Sequence, residues 1–189
     1  MQRIARYFTE YFIAKDIISE EEREIYEYGF DITIFTFLST LGFLLLGALL
    51  HHFWYAAIIL VIFSLLQTNG GGYHANTHLK CFLTMVIILL IALGISYLPL
   101  FPYVAETASI VSIILLLVFP LTLHFNKAYL ASQAPQLRRQ SRLVTVLITG
   151  ISAVLVYVVH LPIIPFALAL TMSAISRLYA TWERRKSQA

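Results

Sequence analysis

The chain has 189 residues, of which 59% are hydrophobic and 12% are charged, with a formal net charge of +3. Soluble domains carry about 25% charged residues, so this composition excludes an ordinary soluble domain and predicts one domain that lies mostly in lipid. The basic residues are too scattered to predict a nucleic-acid partner, and the single cysteine excludes an intrachain disulfide.

Residues 1–30 are amphipathic, which predicts a helix in the headgroup plane at the beginning of the chain. Ser19 and Glu22 have the spacing of a capping box, so a second short helix is predicted from about residue 20 to Tyr28. A membrane-surface or partner-docking element and a solvated lead-in both fit this segment. The apolar side chains at helical spacing in the first helix are Ile4, Phe8, Tyr11 and Phe12.

Six apolar stretches follow, and a helix needs about 17–25 residues to cross the hydrocarbon core. The first, third, fifth and sixth stretches meet this length, whereas the second and fourth are marginal. The sequence therefore predicts residues 1–30 as interfacial helices, 31–180 as a six-span bundle and 181–189 as a basic tail. The stretches cover residues 31–50, 52–66, 81–98, 108–124, 143–160 and 162–180.

The positions of Lys and Arg predict the orientation of the bundle. If the N-terminus lies in the cytoplasm and the chain crosses six times, all 13 basic residues fall on the cytoplasmic side. The outer connections, at residues 51–52, 99–107 and near Leu161, hold none of them. The predicted fold class is therefore an all-α polytopic membrane protein with six transmembrane helices and both termini cytoplasmic.

A polar, glycine-rich segment between the second and third stretches holds a candidate nucleophile and base. His74 follows Gly70–Gly72, and Cys81 lies seven residues after His74. A thiolate attacks carbonyls, and an imidazole can take the thiol proton and later protonate a leaving amine. Seven residues on one straight helix would place the two groups about 10 Å apart, so His74 reaches Cys81 only if the chain folds back. His78, one turn before Cys81, needs no fold-back, and this geometry does not choose between the two histidines.

Glycine and a helix start make the fold-back feasible. Gly70–Gly72 supply a flexible backbone, and Asn76 or Thr77 can cap a helix that begins near Thr77. Cys81 would then lie in or just beyond the first turn, where the positive helix end favours thiolate. The short second stretch also allows this polar segment to dip into the membrane.

Simpler interpretations of the same residues exist. The glycines also fit a plain turn, and a free cysteine is often a small buried hydrophobe. A structural zinc site usually takes four ligands and no such cluster is evident, so neither a metal nor a cofactor is predicted. A transporter or channel component and a non-catalytic membrane assembly subunit are the alternative functions.

The segment Gly71-Gly72-Tyr73-His74-Ala75 followed by Cys81 resembles the accessory gene regulator B (AgrB) family of bacterial quorum-sensing membrane peptidases. The six-span layout, the length, and Pro120 with Asn126-Lys127 extend this resemblance over nearly the whole chain. It implies His74 and Cys81 as a catalytic pair in the bacterial cell membrane, and the distribution of Lys and Arg predicts the site at the cytoplasmic face. It further implies a cysteine endopeptidase that removes the C-terminal tail of an AgrD-type precursor and cyclises the remainder to a thiolactone or lactone. A homodimer is also expected.

Supporting residues are predicted around this pair. Gln67 stands where members of the family often carry an arginine, so a role of that charge, such as holding a substrate carboxylate, does not carry over to this chain, although Gln67 can still donate a hydrogen bond to an oxyanion. The candidates for stabilising the oxyanion or orienting His74 are Gln67, Gly71, Gly72 and Asn76, with Asn69 and the Cys81 N–H as further possibilities. A basic cytoplasmic loop either serves topology and lipid headgroups or attracts the acidic precursor tail. Its residues are Lys127, Arg138, Arg139 and Arg142.

Overall fold

The computed structural model describes residues 2–72, 78–96, 101–121 and 133–188. Every regular element in these ranges is a helix, which confirms the predicted all-α class there. One 3₁₀ turn, Glu20–Glu22, precedes the second α-helix. The α-helices are α1 (Gln2–Ala14), α2 (Arg23–Leu49), α3 (Phe53–Gly70), α4 (His78–Ser96), α5 (Phe101–Val118), α6 (Ala134–Tyr157) and α7 (Ile164–Gln188).

The capping box at Ser19 is confirmed, but the helix after it is longer than predicted. The Ser19 N–H and Oγ both donate to Glu22 Oε2, at 3.0 and 2.9 Å. The helix does not end near Tyr28, since α2 continues to Leu49, and that prediction is wrong. Gly29 costs a helix interior only about 1 kcal/mol, and no proline or cap follows it, so the helix continues into the first apolar stretch.

Helix α1 folds back along the beginning of α2. Arg6 Nε lies 3.5 Å from Glu27, and Arg23 lies 3.9 Å from Glu10, so partner numbers fall along α2 as they rise along α1. The two helices are therefore antiparallel, although such largely exposed ion pairs contribute little stability. Ala5 and Thr9 are buried, whereas Ile4, Tyr7, Phe8 and Tyr11 are exposed.

Four helical segments in the described ranges are long and apolar enough to cross a membrane. Helices α4 and α5 contain shorter apolar segments, Phe82–Ile91 and Tyr103–Val118. The second stretch, predicted as marginal, is thus a candidate span in α3. Helix α4 has 19 residues, within the length that a span needs, and the six-span count remains a prediction. The four candidate spans are Glu20–Leu49, Phe53–Gly70, Ala134–Tyr157 and Ile164–Glu183.

Helix α7 lies at the centre of the bundle and packs against both α3 and α5. Small side chains on α7 let neighbouring backbones approach closely, as in many membrane bundles. A hydrogen bond of 3.1 Å from Ser112 Oγ to Thr171 Oγ1 links α5 to α7. One buried cluster joins α3, α5, α6 and α7, and another joins α2, α3, α4 and α7. The buried small residues of α7 are Ala167, Ala169, Ser173 and Ala174.

The ends of several helices meet at one end of the bundle. Arg177 of α7 donates to Leu66 O in the last turn of α3 and to Pro120 O just after α5. Arg142, near the start of α6, donates through Nε to Leu117 O of α5 at 3.2 Å. These contacts bring four helices together at what we name the arginine end of the bundle. It consists of the end of α3, the end of α5, the start of α6 and the second half of α7.

Candidate functional site

The glycine segment begins where α3 ends, at the arginine end. The Gly71 N–H donates to Gln67 O at 2.8 Å and completes the last turn of the helix. Gly71 then adopts φ 68° and ψ −174°, a backbone region open essentially to glycine alone. The chain therefore leaves the helix direction at Gly71. His74 and Asn76 lie outside the described residues, so the fold-back from His74 to Cys81 stays a prediction.

The backbone around Cys81 is the beginning of α4. The described part of this helix begins at His78, directly after residues 73–77, which lie outside the described chain, and Cys81 is its fourth residue. The predicted helix start near Thr77 therefore stays a prediction. The positive end of a helix favours a thiolate in the first turn. The side chains of His78 and Cys81 are outside the described part of the chain, so the choice between His74 and His78 also stays open on geometry.

Phe82 locates the start of α4 relative to α2. A Cβ atom at Gly42 would lie 3.3 Å from Cζ of the Phe82 ring. At 1.5 Å per residue, Gly42 is about 10 Å from the end of α2 and about 28 Å from its start. The beginning of the described α4 therefore lies beside the middle of α2.

Gln67 faces α7 from the last turn of α3. Its Nε2 donates to Ser176 Oγ at 2.7 Å, whereas its Oε1 is buried without a hydrogen-bond partner among the described residues. A Cβ atom at Gly72 would overlap the Gln67 amide, so Gln67 and Gly72 lie against each other. One of the two N–H groups of Gln67 and the N–H of Gly71 are thus already used. The oxyanion roles of Gln67, Gly71 and Gly72 stay predictions.

Arg177 is the residue of this region that sequence reasoning missed. Its side chain is 1% exposed, and its Nη2 and Nη1 donate to Leu66 O and Pro120 O at 2.8 and 3.0 Å. In the charge pattern along the chain, Arg177 is one of the 13 basic residues that predict topology. The signal that could have identified it is a lone charge within an apolar run, which in a membrane protein marks a functional position.

The predicted substrate-binding basic residues lie partly within the described chain. Arg138, Arg139 and Arg142 are exposed near the start of α6, and Lys127 falls outside the described residues. Arg142 is tied to Leu117 O, which places it at the arginine end, where α3 also ends. The structure thus brings part of the predicted basic loop to the same end of the bundle as Gly70–Gly72.

Apolar helices packed around α7 define a helical integral membrane protein. The chain belongs to the accessory gene regulator B family, whose family model matches residues 1–181. It is 28% identical over 89 residues to the putative AgrB-like protein 1 of Clostridium perfringens (strain 13 / Type A), which is 47% of each chain. The match thus spans about half the length of this curated relative. No solved structure matches the chain.

Replacing Gly71 with alanine is expected to destabilise the protein, since a Cβ atom is strained at φ 68° and ψ −174°. Such backbone conformations cost other residues about 1–3 kcal/mol. The free energy of unfolding, followed by circular dichroism in detergent micelles, measures the effect. Gly150→Ala is the matched control, because nothing lies within 4 Å of its added Cβ, and alanine there is expected to preserve or raise stability. Equal stability of Gly71→Ala and the native chain would contradict the prediction.

Proposed function

We propose that this chain is a membrane-embedded cysteine endopeptidase that removes the C-terminal tail of an AgrD-type precursor and cyclises the remaining peptide. The observation that carries the proposal is the Gly71-Gly72-Tyr73-His74-Ala75 motif, with Cys81 in the first turn of α4, inside a chain of this family. Support from the described structure comes from Gly71, whose backbone conformation turns the chain out of α3.

In the proposed first step, the Cys81 thiolate attacks the carbonyl carbon that precedes the precursor's tail. His74 takes the thiol proton and passes it to the departing amine as the peptide bond breaks. The tail leaves with a new N-terminus, and the rest of the precursor remains on Cys81 as a thioester. The Gly72 N–H and the free N–H of Gln67 are proposed to stabilise the oxyanion, and losing one such donor typically costs about 100–1,000-fold in rate.

The second proposed step closes the ring. A cysteine or serine side chain of the precursor attacks the thioester carbonyl, forms a thiolactone or lactone, and releases Cys81 as a thiol. Because thioester exchange is nearly balanced in free energy, water must be kept from the acyl-enzyme if cyclisation is to exceed hydrolysis. The contact of Phe82 with the interior of α2 supports a site removed from bulk water.

The proposal includes a location and partners. Six spans in the bacterial cell membrane, with both termini and the site on the cytoplasmic side, fit the distribution of all 13 basic residues. The exposed Arg138, Arg139 and Arg142, together with Lys127, are proposed to attract the precursor's acidic tail or lipid headgroups. A homodimer in lipid is the proposed assembly.

Co-expression with the small peptide encoded beside this protein tests the function. Mass spectrometry is expected to detect the released tail and the cyclic product. It is also expected to detect precursor peptide bound covalently to the chain, and hydroxylamine should release this peptide because it cleaves thioesters. Movement of an intact precursor across the membrane without cleavage would favour a transporter component instead. Neither cleavage nor movement would favour a non-catalytic assembly subunit.

A further inference from the structure

Arg177 is a buried cation whose charge is offset by helix ends and not by a carboxylate. Its side chain is 1% exposed, and its two observed acceptors are the carbonyls of Leu66 and Pro120. Within the described ranges, no acidic side chain forms an ion pair with it. The C-terminal end of a helix carries about half a negative charge, so the ends of α3 and α5 together balance the guanidinium.

Burying an ionised side chain costs several kcal/mol unless the surrounding geometry compensates. A guanidinium has five N–H donors in a rigid planar fork, which allows one side chain to hold two carbonyls from different helices. A lysine ammonium is a compact point charge without this fork. Holding the Leu66 and Pro120 carbonyls with one side chain therefore requires arginine. This pair of hydrogen bonds joins α3 to the chain just after α5.

Arg177 also lies directly against the glycine segment. A Cβ atom at Gly70 would overlap the guanidinium, so only glycine at this position leaves room for it. Gly70 immediately precedes Gly71, where the chain turns out of α3, and His74 follows three residues later. Arg177 Nε, whose guanidinium lies against Gly70, and Gln67 Oε1, which lies against Gly72, are both buried without partners among the described residues.

We propose that Arg177 is a positioning residue for His74: its guanidinium fixes the ends of α3 and α5 and thereby sets where the glycine segment delivers the histidine to Cys81. This inference rests on the proposed function and deepens it. Arg177 acts through the backbone of Leu66 and Gly70 and takes no part in bond making or breaking.

The single cysteine makes the test direct, because alkylation of the intact protein by iodoacetamide reports Cys81 alone. A free thiol is only a few per cent thiolate at pH 7, whereas a thiol paired with imidazole is largely thiolate. The native chain in detergent micelles is therefore expected to react rapidly down to about pH 6, and His74→Ala is expected to lower the rate at pH 7 about tenfold or more. Arg177→Met is expected to reproduce the His74→Ala pH profile while retaining the native helical content.

Companion variants separate positioning from a general loss of fold. Arg177→Lys, which keeps the charge but not the fork, is expected to react at an intermediate rate. Gly70→Ala, which displaces the guanidinium, is expected to match Arg177→Met. Adding His74→Ala to Arg177→Met is expected to change nothing further. Lys186→Met, which removes an exposed cation of the same helix that lies over Trp182, is expected to keep the native profile.

Each result bears on the proposal. If folded Arg177→Met or Arg177→Lys retains the complete native profile, the positioning role is wrong, and the peptidase proposal still stands. If Arg177→Met does not fold, Gly70→Ala and Arg177→Lys decide by the same measurement. If the native profile does not depend on His74, both the catalytic pair and the role of Arg177 are wrong. Continued tail release by Cys81→Ala would instead overturn the proposed function itself.

Discussion

Replacing Cys81 with alanine is expected to abolish release of the precursor's tail, because no other thiol exists in the chain to form the acyl-enzyme. Cys81→Ser is expected to leave at most a trace, since an alcohol is a far weaker nucleophile than a thiolate near neutral pH. The measurement is tail release by mass spectrometry after co-expression with the precursor, together with the amount of chain in the membrane fraction.

A matched control for this experiment lies one turn further along α4. Thr84 is exposed, and its Oγ1 donates only to Lys80 O at 2.8 Å. Thr84→Ala removes a polar group of similar size from the same helix and is expected to release the tail at the native rate. Tail release by Cys81→Ala at a rate similar to Thr84→Ala would contradict the proposed nucleophile.

The second large effect is expected at His74. A positioned general base contributes about 100–10,000-fold to a rate, so His74→Ala is expected to lower kcat/KM for tail release within that range. The expected loss is smaller than for Cys81→Ala, because a thiol keeps some nucleophilic character without its base. The rate should rise with pH in His74→Ala, as solvent hydroxide replaces the missing base.

His78→Ala is the control for this assignment, since His78 is the geometric rival one helical turn before Cys81. It is expected to keep kcat/KM within a few-fold of the native value. A loss in His78→Ala with normal activity in His74→Ala would reassign the base to His78. Loss in both variants would point to a site in which each histidine contacts the substrate or the thiol.

Local sequence signals were reliable where one or two turns of chain decide the structure. Ser19 and Glu22 form the predicted capping box, which depends on hydrogen bonds between residues three apart. The predicted helix end at Tyr28 was wrong, because a change from polar to apolar composition does not end a helix unless a terminating residue such as proline follows.

Composition and local pattern were sufficient to predict a helical membrane protein and to find the glycine–histidine–cysteine motif of the accessory gene regulator B family. Tertiary structure decided which groups at the end of α3 are hydrogen-bonded and which side chain packs against Gly70. Arg177 lies 111 residues from Leu66, and a charge pattern read along the chain assigns it to topology alone. Its partners are carbonyl oxygens, which every residue possesses, so only the packing of α7 between α3 and α5 could identify them.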